Sequence, residues 1–188
     1  DLPTGPALPD RDGDGMPDGW EHGHGLGPTN AQDDTEDPDG DRVSNIDEYR
    51  GGTDPKRWDT DGDGMGDGWE ADHDLDPCDA SDGATDEDVD GLSNLAEYRN
   101  GTHPRNADTD GGGAWDGWEI RYGLNATDPT DDGSDPDSDG LSNADEFVMG
   151  TSPRDEDTDD DGLPDDFEAE MGYDPLDEND AKADEDGD

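Results

Sequence analysis

Seven copies of one twelve-residue acidic pattern constrain this chain more than any other feature. The first copy, residues 10–21, reads D-R-D-G-D-G-M-P-D-G-W-E, with acids at positions 1, 3, 5, 9 and 12 and glycine at position 6. Copies begin at Asp10, Asp37, Asp59, Asp86, Asp108, Asp135 and Asp157. Their spacing alternates between 27 and 22 residues, so the true unit is 49 residues long and carries two loops. A fixed internal period of this size marks a repeat architecture. It divides the chain into a linker (1–9), three full units (10–58, 59–107 and 108–156) and a truncated fourth (157–188). An eighth loop opens with Asp184, Asp186 and Asp188.

Alternating carboxylates on a curling backbone suit one kind of ligand. Calcium is a hard cation that takes about 6–8 oxygens at roughly 2.3–2.6 Å. Short Asp side chains at positions 1, 3 and 5 point inward, glycine permits the turn, and a longer Glu at position 12 reaches back to close the shell. The pattern resembles the calcium loop of an EF-hand, in which position 7 contributes its main-chain carbonyl and position 9 often acts through water. The predicted ligands of the odd loops are therefore Asp10, Asp12, Asp14, Met16, Asp18 and Glu21; Asp59, Asp61, Asp63, Met65, Asp67 and Glu70; Asp108, Asp110, Ala114, Asp116 and Glu119; and Asp157, Asp159, Asp161, Leu163, Asp165 and Glu168. Those of the even loops are Asp37, Asp39, Asp41, Val43, Asn45 and Glu48; Asp86, Asp88, Asp90, Leu92, Asn94 and Glu97; and Asp135, Asp137, Asp139, Leu141, Asn143 and Glu146. Asp33, Asp82, Asp131 and Asp180 recur 23 residues after each odd loop begins and are candidates for an auxiliary ion. Gly112 removes the position-5 acid of the loop at 108–119. Water or a neighbouring carboxylate must complete that shell, and the loop is expected to be the weakest. Arg42 replaces glycine at position 6 of the loop at 37–48, which strains the turn but removes no ligand.

Composition makes the metal more than an ornament. Only 23% of the residues are hydrophobic, and 60 acids against 10 bases give a formal charge of −50. Such a chain cannot build an ordinary core, and without metal it reads as disordered. Seven divalent ions would cancel fourteen of those charges, so folding should be coupled to binding. Phosphate would be repelled, which argues against nucleic acid. No stretch approaches the roughly 18 apolar residues of a membrane span. The start at Asp1-Leu2-Pro3 reads as a mature or truncated terminus, and Cys78 stands alone.

Short helices should begin inside each loop. Ser44, Ser93 and Ser142 suit N-caps, while Gly52, Gly101 and Gly150, and Gly25, Gly123 and Gly172, suit left-handed stops. Met16 with Trp20, Met65 with Trp69, and Leu163 with Phe167 lie four apart on one face, and the aromatics are expected to form the small core between adjacent loops. No ten-residue stretch before a loop can form an entering helix, because Gly, Pro and Asp crowd it. The opening of paired helices by which sensors act is therefore not expected. His22 and His24 lack the further His or Cys that a transition-metal set would need. Asn100 and Asn125 sit in glycosylation sequons.

Asp59-Thr60-Asp61-Gly62-Asp63-Gly64 and Gly101-Thr102-His103-Pro104 resemble the calcium-binding repeats of the thrombospondin type 3 class in their bacterial, cysteine-free form. The likeness runs from Asp10 to Asp188, with Trp20, Trp69, Trp118 and Phe167 where the family places cysteine. It implies calcium coordinated by the loop acids, within an elongated surface or secreted protein; it does not imply an enzyme, and none is expected, because no nucleophile–base pair is present and the acids are accounted for as ligands. The expected fold is thus a calcium-stabilised repeat array, elongated and sheet-free, with a short helix after each loop. The expected function is an extracellular structural one, as a stalk, spacer or filament segment whose partners are calcium and other repeats or copies of itself. A dockerin-like binding module and an acidic calcium store or mineral nucleator are the alternatives.

Overall fold

Each loop is wound by its own first aspartate. In the computed structural model, which describes residues 8–179, Asp59 Oδ1 accepts the Gly62 N–H at 2.6 Å and Oδ2 accepts the Gly64 N–H at 3.1 Å. Asp10, Asp37, Asp86 and Asp135 hold positions 4 and 6 of their loops in the same way. The position-5 acid then takes the position-7 N–H, as Asp63 does from Met65 at 2.8 Å. The loop closes when the position-9 N–H bonds the carbonyl just before the loop, for example Asp67 to Trp58 at 3.0 Å and Asp116 to Ala107 at 2.9 Å.

That winding places positions 4 and 6 in left-handed backbone in all seven loops. Position 6 was expected, and Arg42 accepts it with φ 83°. Position 4 was not foreseen: Val89, Ser138 and Asp160 adopt φ 67°, 70° and 64° where other loops carry glycine. A β-branched residue such as Val89 is a rare occupant of this region.

Among the described residues seven α-helices follow, one per loop: α1 (Asp18–His24), α2 (Asn45–Gly51), α3 (Asp67–Asp72), α4 (Asn94–Asn100), α5 (Asp116–Tyr122), α6 (Asn143–Met149) and α7 (Asp165–Met171). All begin at loop position 9, because the loop-closing hydrogen bond fixes that residue and leaves the following backbone free to wind. Ser93 and Ser142 accept helix N–H groups as N-caps, whereas the Ser44 hydroxyl instead donates to Asp47 Oδ2 at 2.7 Å. Six helices stop at a left-handed glycine; α3 ends at His73, and Asp74 takes the positive φ of 58°. A 3-10 turn spans Asp82–Ala84, and no strand occurs among the described residues. The molecule is thus built of helix and loop, with short helices following Asp- and Asn-rich repeats.

The chain divides into two compact units, Asp1–Thr85 and Asp86–Asp188. The division falls between the loops at 59–70 and 86–97, within the 49-residue unit read from the period. In the first unit Trp20 packs edge-on against Tyr49, with ring centroids 5.2 Å apart. In the second, Trp118 packs similarly against Phe147 at 5.6 Å. These rings are half-buried and do not form the interior. The largest fully buried side chains are seven glutamates, three asparagines and two methionines.

Backbone-to-backbone packing draws neighbouring loops together within each unit. A Cβ on Gly68 would strike the Asp41 carbonyl oxygen, and one on Gly117 would strike that of Asp90. The Gly117 N–H also donates to Asp90 Oδ2 at 2.9 Å. Gly19, at the same place in α1, has nothing within 4 Å of its Cβ direction. Gly19→Ala should therefore raise the melting temperature, by the about 0.5–1 kcal/mol that alanine gains over glycine in a helix. Gly117→Ala should lower it, at a cost of about 1–3 kcal/mol for the forced displacement. Equal effects in thermal melts of the two variants would contradict this docking.

Candidate metal centres

Within a loop, the acids at positions 1, 3 and 5 converge. Asp10, Asp12 and Asp14 each offer a carboxylate oxygen within 4.8 Å of the others, as do Asp37, Asp39 and Asp41, and Asp59, Asp61 and Asp63. Position 5 also belongs to a second cluster, which the position-12 glutamate completes with a residue from outside the loop. Asp14 and Glu21 gather with Asp33; Asp41 and Glu48 gather with Asp67. The structure thus places acids in adjoining groups that share one carboxylate, and several of these groups are positioned to hold a metal ion.

The outside residue arrives by two routes, set by the step between loops. In the 27-residue step, Asp33 Oδ2 accepts the Gly27 N–H at 2.8 Å, while its Oδ1 is buried with no hydrogen-bond partner. Asp82 and Asp131 are held alike, through the Asp76 and Asn125 N–H groups, each at 2.9 Å. Asp180 lies outside the described residues. The position-9 asparagine of the following loop seals this arrangement: Asn45 Nδ2 donates to the Asp33 carbonyl, and Asn143 Nδ2 to that of Asp131, both at 2.7 Å. The Oδ1 atoms of Asn45 and Asn143 are buried without partners.

The 22-residue step has no such connecting turn, and position 9 of the next loop is itself carried in. Asp67 was expected to serve its own loop, yet it gathers with the acids of the loop before it. Asp116 and Asp165 lie close enough to raise the pKa of Glu97 and Glu146 in the preceding loops. Position-2 threonines fix all three: Thr60 donates its N–H and hydroxyl to the two Asp67 oxygens, both at 2.7 Å, and Thr109 and Thr158 do the same for Asp116 and Asp165. Threonine at position 2 was the available sequence signal, because Asp18 has Arg11 there and forms an ion pair with it at 3.1 Å.

The glutamates are the most exacting groups. Glu21, Glu48, Glu70, Glu97, Glu119 and Glu146 are 0% exposed, and neither carboxylate oxygen of any of them has a hydrogen-bond partner. Glu168 is equally buried. Loss of water first, and the surrounding aspartates second, push the carboxyls of Glu48, Glu70, Glu97, Glu119 and Glu146 up to about 8 and that of Glu21 to about 7. An array of oxygen donors with negative charge in this excess suits a hard cation. His24 is otherwise engaged: its ring lies against Trp20, and its Nδ1 is 2.8 Å from the Trp20 carbonyl.

Comparison with protein-family models, curated proteins and solved structures finds no match for the chain.

Raised carboxyl pKa values give the metal-free fold a definite pH dependence. Between the ordinary glutamate value of 4.5 and about 8, the folded state binds more protons than the unfolded state. The glutamates therefore favour the folded state most fully below pH 4.5, and that contribution is lost as pH rises through about 8. In excess chelator, the residual helical circular dichroism should be higher at pH 5.5 than at pH 8.5. A flat or opposite dependence would show that these carboxyls are not buried as described.

Proposed function

We propose that the chain is a calcium-binding structural segment, an extracellular stalk, spacer or filament piece of a surface or secreted protein. The observation that carries this reading is the recurring buried glutamate without a hydrogen-bond partner, at the closing position of a loop wound by aspartates. A carboxylate in that setting is stabilised by a cation within reach of its two oxygens. Calcium fits the donor set better than the alternatives. Magnesium prefers about one or two carboxylates and retains several waters, and softer metals favour imidazole and thiolate.

In this reading, calcium is part of the fold. Each loop supplies little apolar surface, so neutralisation of its acids is what holds the following helix against the next loop. The resemblance to thrombospondin type 3 repeats points the same way. So does the 49-residue period, which lets an array lengthen without enlarging its core. Extracellular calcium modules bind at roughly 10⁻⁴–10⁻³ M, a range that would suit a segment working outside the cell. A dockerin-like module is the second reading, favoured by the single helix after each loop. Seven loops exceed what such a two-loop module uses, and calcium-dependent capture of a cohesin-like domain would be needed to support it.

The structural reading is tested by circular dichroism and small-angle scattering with and without chelator. At free calcium about 100-fold above the dissociation constant, each independent site adds roughly 2.7 kcal/mol. Calcium should therefore produce a cooperative melt that chelator abolishes. The loaded chain should also have a radius of gyration above the roughly 16 Å expected of a globule of this length. An equally ordered, equally stable chain in excess chelator would overturn the reading.

A further inference from the structure

The loop at 108–119 lacks an acid at position 5, yet the place that acid would occupy is filled. A Cβ built on Gly112 would coincide with Asp132 Oδ2. Asp132 is 2% exposed, and burial first, then the nearby Asp110, Asp131 and Asp108, raise its pKa. The Ala114 N–H faces its carboxylate, although neither Asp132 oxygen closes a well-aligned hydrogen bond. Ala114 is the position-7 residue, whose N–H in other loops binds the position-5 acid, as Met65 binds Asp63. Glu119, the closing glutamate of the same loop, is fully buried with both oxygens unpartnered, and Asp132 heads the neighbours raising its pKa.

One period earlier, the same two places are occupied in reverse. Asp63 stands at position 5, and the residue 20 further on, where Asp132 stands in the later unit, is Gly83. A Cβ on Gly83 would strike Asp63 Oδ2. Each site therefore holds one aspartate and one glycine, and in each the glycine leaves the volume that the other residue's carboxylate fills. In the first unit, where Asp14 keeps position 5, the acid at the same place, Asp34, is only half-buried, whereas Asp132 is buried; a simple loss of the position-5 ligand would not need that burial.

We propose that Asp132 is the relocated position-5 metal ligand of the loop at 108–119, donated from the connecting turn across the volume that Gly112 leaves open. The assignment rests on the metal reading of the loops. It reverses the expectation from the loop alone, in which this site is the weakest. With Asp132 present, Gly112→Asp drives two carboxylates into one volume.

The test is calcium titration by calorimetry, with terbium luminescence sensitised by Trp115 and Trp118 to count water on the ion, on the full chain. Asp132→Asn should weaken one site at least about tenfold and add water to its terbium ion. Asp128→Asn, an exposed charge-matched control, should leave both unchanged. Gly112→Asp alone should not strengthen binding. The transposed pair Gly112→Asp with Asp132→Gly recreates the Asp63 and Gly83 arrangement and should return affinity to the wild-type value, which also separates ligand loss from misfolding. Wild-type affinity in Asp132→Asn, or a gain in Gly112→Asp, overturns the assignment while leaving the metal reading intact. A wild-type chain that takes up no calcium overturns both.

Discussion

A carboxylate buried without a hydrogen-bond donor is among the costliest groups a protein can contain, and this fold is arranged around a recurring set of them. Glu21, Glu48, Glu70, Glu97, Glu119 and Glu146 occupy places that leucine or phenylalanine would take in an ordinary domain. Their neighbours are aspartates, so the local field adds to the loss of water instead of offsetting it. Among the described residues, the buried hydrophobic ones are only Met16, Ile46, Met65, Ala114 and Ala126, far too few to hold such charges in place by apolar packing. In our account the cation supplies what a hydrophobic core supplies elsewhere.

The loops are also not self-sufficient. Asp33 must be delivered to the loop before it by a connecting turn, and Asp67 by the helix after it. Gly68 and Gly117 permit the delivery of Asp67 and Asp116 by letting the first turn of a helix lie directly on the preceding loop. In the proposed reading, loading one loop would order the first residues of the next element. Such coupling would suit the structural segment proposed above, because order within each unit would pass through shared carboxylates without a common core. It also explains why the 27- and 22-residue steps alternate, since each brings a different residue to the same chemical place.

Much of this was legible in the sequence, because a ligand set depends on short-range spacing. Loop boundaries, the helix after each loop, the glycine stops at Gly52, Gly101 and Gly150, and the candidacy of Asp33, Asp82 and Asp131 all follow from periodicity and turn chemistry. Contacts between loops were less legible. Asp67 has the position-9 signature of its own loop, and only the docking of α3 turns it toward Glu48. Asp132 looked like one more acid in an acidic chain until the Cβ direction of Gly112 gave it a place. The left-handed position 4 was hidden because Gly13, Gly40, Gly62 and Gly111 meet the requirement in some loops while Val89, Ser138 and Asp160 tolerate it in others. The expected aromatic contacts between adjacent loops occur at Trp20–Tyr49 and Trp118–Phe147, but the rings border the interior and the glutamates fill it.

The most direct measurement is an anomalous-difference map from crystals grown in millimolar calcium. The account predicts a calcium peak at every described loop, within about 2.3–2.6 Å of the position-12 glutamate oxygens. An ordered chain with those glutamates buried as here, and no peak beside them, would contradict it.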